Sequence, residues 1–369
     1  MRDWKTVRLG DVCEIVNGFA FDSKLFNTDK KGIPLIRIRD VIRGFSETYT
    51  TENADSRFLV KVGDLLIGMD GEFNCSLWKS EDSFLNQRVC KIVPNLELIN
   101  KDYVYYGLKG KLKEIEDKTS FVTVKHISSK QIENIVLKYP PLETQQQIVV
   151  QLDKCTALIA NQKQILEKYD TLIKSRFIEM FGNPQCISNN WKVNPLSDYC
   201  IVNPKKSELG PIPDDYELSF IPMQSVSENG DVDTSSIKHY KDVKTGFTYF
   251  KENDVLFAKI TPCMENGKGG VARKLKNQIG FGSTEFHVLR PIETISNSEW
   301  IYRLTTFKTF RKDAENNMTG SAGQRRTPKE FFDKYKVGLP PIELQNDFAA
   351  FVHQIDKSKF EYTYTGVAA

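Results

Sequence analysis

Short apolar runs broken by turn residues alternate along this chain with stretches of helical spacing. Residues 33–42 and 64–69 have the composition and alternation of strands, and 86–93 continues the series. Comparable runs return at 218–226, 254–260 and 285–290. Helical spacing predicts one helix over 102–116 and another over 298–312, so each half of the chain reads as a mixed α+β domain. The strings MDGEFN (69–74) and MENGKGG (264–270) fall between strands and predict loops or turns.

Between the halves the pattern changes. From 143 to 181 there is neither Pro nor Gly, and apolar residues advance by steps of three and four. Ile148, Leu152, Cys155, Ile159, Leu166, Tyr169, Ile173 and Met180 form the series, with Gln162 and Arg176 filling two places. Val149, Leu158, Ile165 and Leu172 widen the stripe. About 38 residues predict a rod of roughly 57 Å. Such an apolar face needs a partner helix. Pro140 and Pro141 precede the rod, and Gly182 and Pro184 stop it. A second helix starts after Pro341 with Leu344, Phe348, Phe351, Val352 and Ile355 apolar. Beyond Phe360 the tail EYTYTGVAA is β-prone, so this helix is expected to be about half as long as the first, as in a truncated or frameshifted product. The stretch 166–180 of the rod would then stay uncovered and seek a helix of a partner or of a second copy.

The chain also repeats itself. WKTVRLGDVCEIVN (4–17) returns as WKVNPLSDYCIVN (191–203), VLKYPPLETQ (136–145) as KVGLPPIELQ (336–345), and QLDK (151–154) as QIDK (354–357). The period is far too long for a solenoid and marks a duplicated domain. The expected division is a first domain at 1–142, a helix at 143–182, a second domain at 183–342 and a shortened helix at 343–369. At 369 residues the chain can bury two cores.

Composition narrows the class without naming a partner. Fifty-one basic residues against 48 acidic give a formal charge of +3, too small to demonstrate a polyanionic partner but compatible with local basic patches. No export signal or membrane span is recognisable, which predicts a cytoplasmic protein. The seven cysteines are scattered without a CxxC pair, which fits reduced thiols and argues against zinc. Cys13 and Cys200 occupy equivalent repeat positions and read as small buried hydrophobes. His126, His239, His287 and His353 lack metal-ligand spacing, no nucleophile elbow or nucleotide-binding glycine motif is present, and NPQC at Asn183 is not a methyltransferase motif. No catalytic residue, cofactor or metal is expected.

The paired WK entry segments and the PPLxxQ leaders running into QLDK or QIDK resemble the specificity subunit of type I restriction-modification enzymes over nearly the whole chain to Phe360. The resemblance implies two target recognition domains that each read half of an asymmetric bipartite site in double-stranded DNA. It also implies conserved helices that pair antiparallel and dock two modification (methyltransferase) subunits, with restriction (endonuclease) subunits joining the complex. The shortened second helix departs from that pattern. A duplicated non-catalytic scaffold or regulatory module acting through its long helix is the other reading.

Base edges are read by Arg, Lys, Asn and Gln on loops and strand ends. In the first domain, alternation puts Arg37 and Arg39 on one strand face with Arg43 at its exit, and Asn74, Lys79, Gln87 and Arg88 fall around the next loops. Lys118, Thr119, Ser120, Thr123, Lys125 and His126 form a polar loop suited to phosphates. In the second domain the candidates are Lys259, Asn266, Lys268, Arg273 and Lys274 in one Gly-rich basic loop, and Gln324, Arg325 and Arg326 in GSAGQRRTPKE (320–330). On the rod, Leu152, Ile159, Leu166, Tyr169, Ile173 and Met180 are the expected partner-binding residues.

Overall fold

A computed structural model of the chain describes residues 4–118, 125–183, 191–321 and 323–365, with side chains to 359. It divides into two compact units, Met1–Asn161 and Gln162–Ala369.

The first unit is built on two sheets. One has the antiparallel order β2 (Cys13–Asn17), β10 (Val89–Pro94), β7 (Leu65–Gly68), β8 (Cys75–Leu77). The other runs β3 (Phe26–Asn27), β5 (Tyr49–Thr50), β4 (Ile33–Ile36), β9 (Ser83–Leu85), β6 (Leu59–Val60), with β4 and β9 parallel. Helix α3 (Lys101–Lys118) buries Val104, Leu108 and Leu112 in the core that also holds Leu65, Ile67 and Ile92. The short helices α1 (Leu9–Val12) and α4 (Ser129–Glu133) add Leu9 and Ile132 to it.

The second unit repeats this plan, with four strands in its second sheet where the first unit has five. Its first sheet is β13 (Cys200–Val202), β20 (Phe286–Pro291), β17 (Val255–Ala258), β18 (Gly269–Val271), all antiparallel. Its second is β15 (Ile237–His239), β14 (Glu217–Ile221), β19 (Ile279–Gly282), β16 (Thr248–Lys251), with β14 and β19 parallel. Small helices α6 (Tyr240–Val243) and α9 (Glu330–Lys334) connect strands, and α7 (Ser298–Thr306) and α8 (Lys308–Asn316) stand where α3 stands in the first unit.

The echoed sequences turn out to be partners of each other within each unit. Strand β1 (Lys5–Arg8) pairs antiparallel with β11 (Val136–Tyr139), and β12 (Val193–Pro195) pairs the same way with β21 (Lys336–Gly338). The glutamine of each PPLxxQ leader is fully buried. Gln145 accepts from the Asn100 N–H at 2.8 Å and donates to the Pro140 carbonyl at 2.9 Å. Gln345 accepts from the Asn297 N–H at 3.0 Å and donates to the Pro340 and Ile295 carbonyls at 2.9 and 3.0 Å. Asn100 and Asn297 in turn cap the next helix, accepting from the Tyr103 and Trp300 N–H groups. One side chain therefore ties the start of the closing helix to the start of the core helix, which explains why this motif repeats.

Helix α5 (Leu142–Phe181) begins in the first unit and ends in the second. In the first unit its Asp153 accepts a 2.6 Å bond from the Tyr106 hydroxyl. In the second it runs antiparallel to α10 (Ile342–Thr365): the Phe177 and Phe348 rings lie 5.5 Å apart, Arg176 sits 5.9 Å over Phe351, and Asp170 meets Lys359 at 2.6 Å.

Four sequence expectations are corrected. The strand over 33–42 stops at Ile36, and residues 38–43 form helix α2 (Ile38–Arg43). The buried Asp40 carboxylate accepts from the Arg37 N–H at 2.9 Å and so starts a helix, which Gly44 ends at φ 78°. The helix over 298–312 is broken at Phe307, whose extended backbone (φ −67°, ψ 135°) turns its buried ring against Phe177 at 5.1 Å. The C-terminal helix is shorter than α5 as expected, 24 residues against 40, but it continues past Phe360 to Thr365. A helix already nucleated gains one hydrogen bond per added residue, and this outweighs weak β-propensity. Finally, the stretch 166–180 is largely covered within the second unit, with Leu172 and Ile178 left exposed. Ile173, Phe177 and Phe181 are buried in the second unit's core with Met180 packed against it, and Leu166 and Tyr169 are half-buried. The exposed apolar residues of α5 include Leu158 at 63% and Ile159 at 56%, farther toward its start, with Leu152 half-buried.

Candidate nucleic-acid interface

In the first unit three loops converge at one end of the β2–β10–β7–β8 sheet. The hairpin loop 69–74 leaves β7, the turn Asn86–Arg88 enters β10, and residues 125–127 pair with the hairpin loop. Ile127 N–H donates to the Met69 carbonyl at 2.9 Å, Gly71 N–H to Lys125 at 2.9 Å, and Met69 N–H to Arg88 at 2.8 Å. At the centre is Asp70, 2.5 Å from His126 Nδ1 and 3.6 Å from Arg88 Nε. Glu116, near the end of α3, holds the hairpin loop by accepting from the Phe73 N–H at 3.3 Å, while Lys125 Nζ donates to the Glu116 carbonyl at 2.7 Å.

The second unit places the same zipper in the same register. Thr327 N–H donates to Lys259 at 2.8 Å, Thr261 N–H to Arg325 at 3.0 Å, and Arg326 bridges Ile260 as His126 bridges Asp70. His126 and Arg326 are thus equivalent positions. Here the carboxylate comes from another strand end: Glu285 receives Arg326 Nε and Nη2, both at 2.9 Å. The Glu285 carboxyl is held below its ordinary range chiefly by these bonds. Arg325 Nη2 lies 3.7 Å from Glu265. The hairpin loop is held from behind by Arg311, only 7% exposed, which donates to the carbonyls of Thr305, Met264, Gly267 and Lys268 and stacks 4.4 Å over Phe257. Burial pushes its pKa down to about 10, which leaves it charged at neutral pH.

His287 fastens the floor of this loop. Its Nε2 must donate to the Thr327 carbonyl at 2.8 Å, and Nδ1 lies 3.0 Å from Asn203 Nδ2, from which the neutral ring accepts. Burial lowers its pKa from 6.5 to about 4. Because the folded value lies below the unfolded one, protonation favours unfolding: the contribution is intact above about pH 6.5 and is lost as pH falls toward 4. Urea titrations at pH 7 and pH 4.5 are expected to show a loss of about 2 kcal/mol that His287→Gln largely removes. Equal slopes for the two proteins would refute it.

The expected site residues are only partly gathered. Arg37, Asn74, Gln87, Arg88, Lys118 and Lys125 lie at or beside the first unit's convergent loops, and Arg37 is exposed next to the Asn86 turn. Arg37 and Arg39 do not share a strand face: Arg37 caps α2, Arg39 lies on it within 3.6 Å of Asp40, and Arg43 at its far end pairs with Glu47 at 3.5 Å. Lys79 is at the opposite end of β8, its stem over Gly44. Thr119, Ser120 and Thr123 lie outside the described residues. In the second unit Lys259, Asn266, Lys268, Gln324, Arg325 and Arg326 come together, Lys268 reaching the Met223 carbonyl at 3.5 Å. Arg273 and Lys274 do not join them, because strand β18 carries the chain back along β17, with Val271 opposite Val255. Arg273 instead pairs with the buried Glu299 of α7 at 2.5 Å, and Lys274 N–H donates to Glu252. Sequence reasoning missed Asp70, Glu285, Glu265 and Arg311; only the last turn of a helical pattern marked Arg311, and carboxylates in a basic loop were not sought.

Among the described residues no cluster of His, Cys, Asp and Glu is placed to hold a metal ion, and no helix is long and apolar enough to cross a membrane. Cys13 and Cys200 are buried, and burial pushes both thiols up to about 12.

Residues 1–169 and 188–365 match the family model described as the type I restriction modification DNA specificity domain. The type I restriction enzyme EcoBI specificity subunit of Escherichia coli is 43% identical over 171 residues, 46% of this chain and 36% of that protein. The EcoAI specificity subunit, also from Escherichia coli, is 42% identical over 193 residues, 51% of this chain and 32% of that one. The matches therefore span only about a third of these two relatives. The MjaVIII specificity subunit of Methanocaldococcus jannaschii is 25% identical over 401 aligned positions covering 96% of this chain and 86% of that protein. The crystal structure of a type I restriction-modification S subunit from M. genitalium superposes with TM-score 0.54 at 13% identity, covering 98% of this chain and 92% of that one. At that identity the likeness is one of fold alone.

Proposed function

We propose, from the premise that the chain belongs to the type I restriction modification DNA specificity domain family, with two copies of the domain in tandem, that it is a non-catalytic subunit which directs a methyltransferase and endonuclease complex to an asymmetric, two-part DNA sequence. The observation that carries this reading is the contrast between frame and loops. The strand order of the first sheet, the zipper register and the buried glutamine are the same in both units, while the groups at the loop end differ: Asp70, Arg88, Lys125 and His126 in one, Lys259, Glu285, Arg325 and Arg326 in the other. Equal frames with unequal readers suit two unlike half-sites.

Helices α5 and α10 are the surface on which two modification subunits would dock, restriction subunits joining through them. Exposed Val150, Leu158, Ile159, Leu172 and Ile178 of α5 are among the apolar contacts available to such a partner or to a second copy of this chain. Light scattering of the isolated chain separates these, a concentration-independent monomer removing self-association. The function itself is tested by sequencing methylated bases in cells expressing this chain with modification subunits. An asymmetric motif of two short blocks around a fixed gap is expected. No motif, or a palindromic one, would overturn the reading.

A further inference from the structure

The guanidinium of Arg326 is held more tightly than a surface phosphate contact requires. An arginine carries five N–H groups in one plane. Three are occupied: Nε and Nη2 donate to the two Glu285 oxygens at 2.9 Å each, and Nη1 donates to the Gln324 carbonyl at 3.0 Å. The donors left over are one N–H on each terminal nitrogen. The backbone is fixed as well, since Arg326 N–H donates to Thr319 at 2.8 Å and Thr319 N–H to Arg326 at 3.0 Å. Yet 42% of the side chain is exposed at the loop end of the unit.

Two coplanar N–H groups on one rigid fork match the O6 and N7 acceptors that guanine presents in the major groove. A phosphate would be served better by an unpaired cation, and Arg326 is already neutralised by a bidentate carboxylate, which leaves direction rather than charge as its asset. We infer that Arg326 reads a guanine in the half-site of the second unit, and that Glu285 is the residue that positions it. This rests on the DNA-specificity reading above. Arg325, only loosely associated with Glu265 at 3.7 Å, is the neighbouring phosphate contact. The equivalent position in the first unit carries His126 against Asp70, an imidazole in place of a fork, so the two half-sites differ at the base this position meets.

The test uses the full chain assembled with its modification subunits. The wild-type motif is first taken from methylated bases, and binding is then measured on duplexes carrying each of the four base pairs at each position of the motif. Arg326→Lys keeps the charge and loses the fork. It is expected to reduce the preference for guanine at one position of one half-site by about 5- to 150-fold, leaving the other half-site unaltered. Glu285→Gln, which keeps the size of the side chain and one acceptor oxygen, is expected to weaken the same preference at the same position. If Arg326→Lys lowers affinity for all duplexes alike, or if both variants keep the wild-type preference everywhere, the inference is overturned. If Arg326→Lys does not fold, as judged by its thermal transition, Glu285→Gln decides alone. Absence of any motif in the wild type would overturn the proposed function instead, so the two failures are distinguishable.

Discussion

Arg311→Met is expected to cost the second unit about 3 kcal/mol, on the order of 10 °C in its thermal transition. The substitution keeps an apolar stem but removes the guanidinium donors to four carbonyls, those of Thr305, Met264, Gly267 and Lys268, of which Met264 and Lys268 retain backbone donors in Gly267 and Ala258. The Thr305 carbonyl has no helical partner because the helix breaks at Phe307. The loss is limited because burying the arginine is itself unfavourable, as its lowered pKa of about 10 records. Arg311→Lys should recover little, since a point charge cannot reach all four carbonyls. Differential scanning calorimetry reads the transition, and protease cleavage within the 259–268 loop reads the local consequence. A transition within about 1 °C of wild type would show that the hairpin loop stands without its arginine.

Gln345→Leu should be nearly as damaging, by about 2 to 3 kcal/mol, because it strands the Asn297 N–H and the Ile295 and Pro340 carbonyls in a site with no exposure. Gln345→Glu is sharper still as a diagnostic. It retains the acceptor for Asn297 but turns a carboxylate toward two carbonyls, so its folded pKa must rise. Its penalty is then largest above the raised folded pKa and is relieved as pH falls through that value toward the unfolded value near 4.3, because the protonated acid can donate one bond. Urea midpoints at pH 7 and pH 4 measure this, with Gln145→Leu as the matching lesion of the first unit. Insensitivity of Gln345→Leu would mean that the repeated glutamine is not what joins the two helices.

The frame of the fold was legible in the sequence. Period-two runs marked the strands β7, β10, β14, β17 and β20, and the echoed segments marked a duplicated domain. What the echoes do for one another was not legible, because the pairing of β1 with β11 joins residues that no local pattern relates. Residues 33–42 misled because Ile and Arg alternate through a position where one buried carboxylate, Asp40, decides for a helix. The helix over 298–312 misled because its break serves a ring in α5, a tertiary demand that overrides propensity. At the loop end, basic residues were visible as types, but their assignments were not. Whether Arg326 is free or forked to Glu285, and whether Arg273 faces the loop or the helices, depends on which strand end each occupies.

The pairing of entry and exit strands has a consequence for descent. In each unit the chain leaves beside the place where it entered, Lys5 opposite Tyr139 and Val193 opposite Gly338. A gene that recombines within the two echoed segments would therefore replace a whole reading cassette while delivering the polypeptide to the same exit, with the buried glutamine still finding its asparagine. New specificities can then arise by exchange rather than by accumulating point changes, and the shared strand pairing and buried glutamine of the seams are what make such an exchange tolerable to the fold.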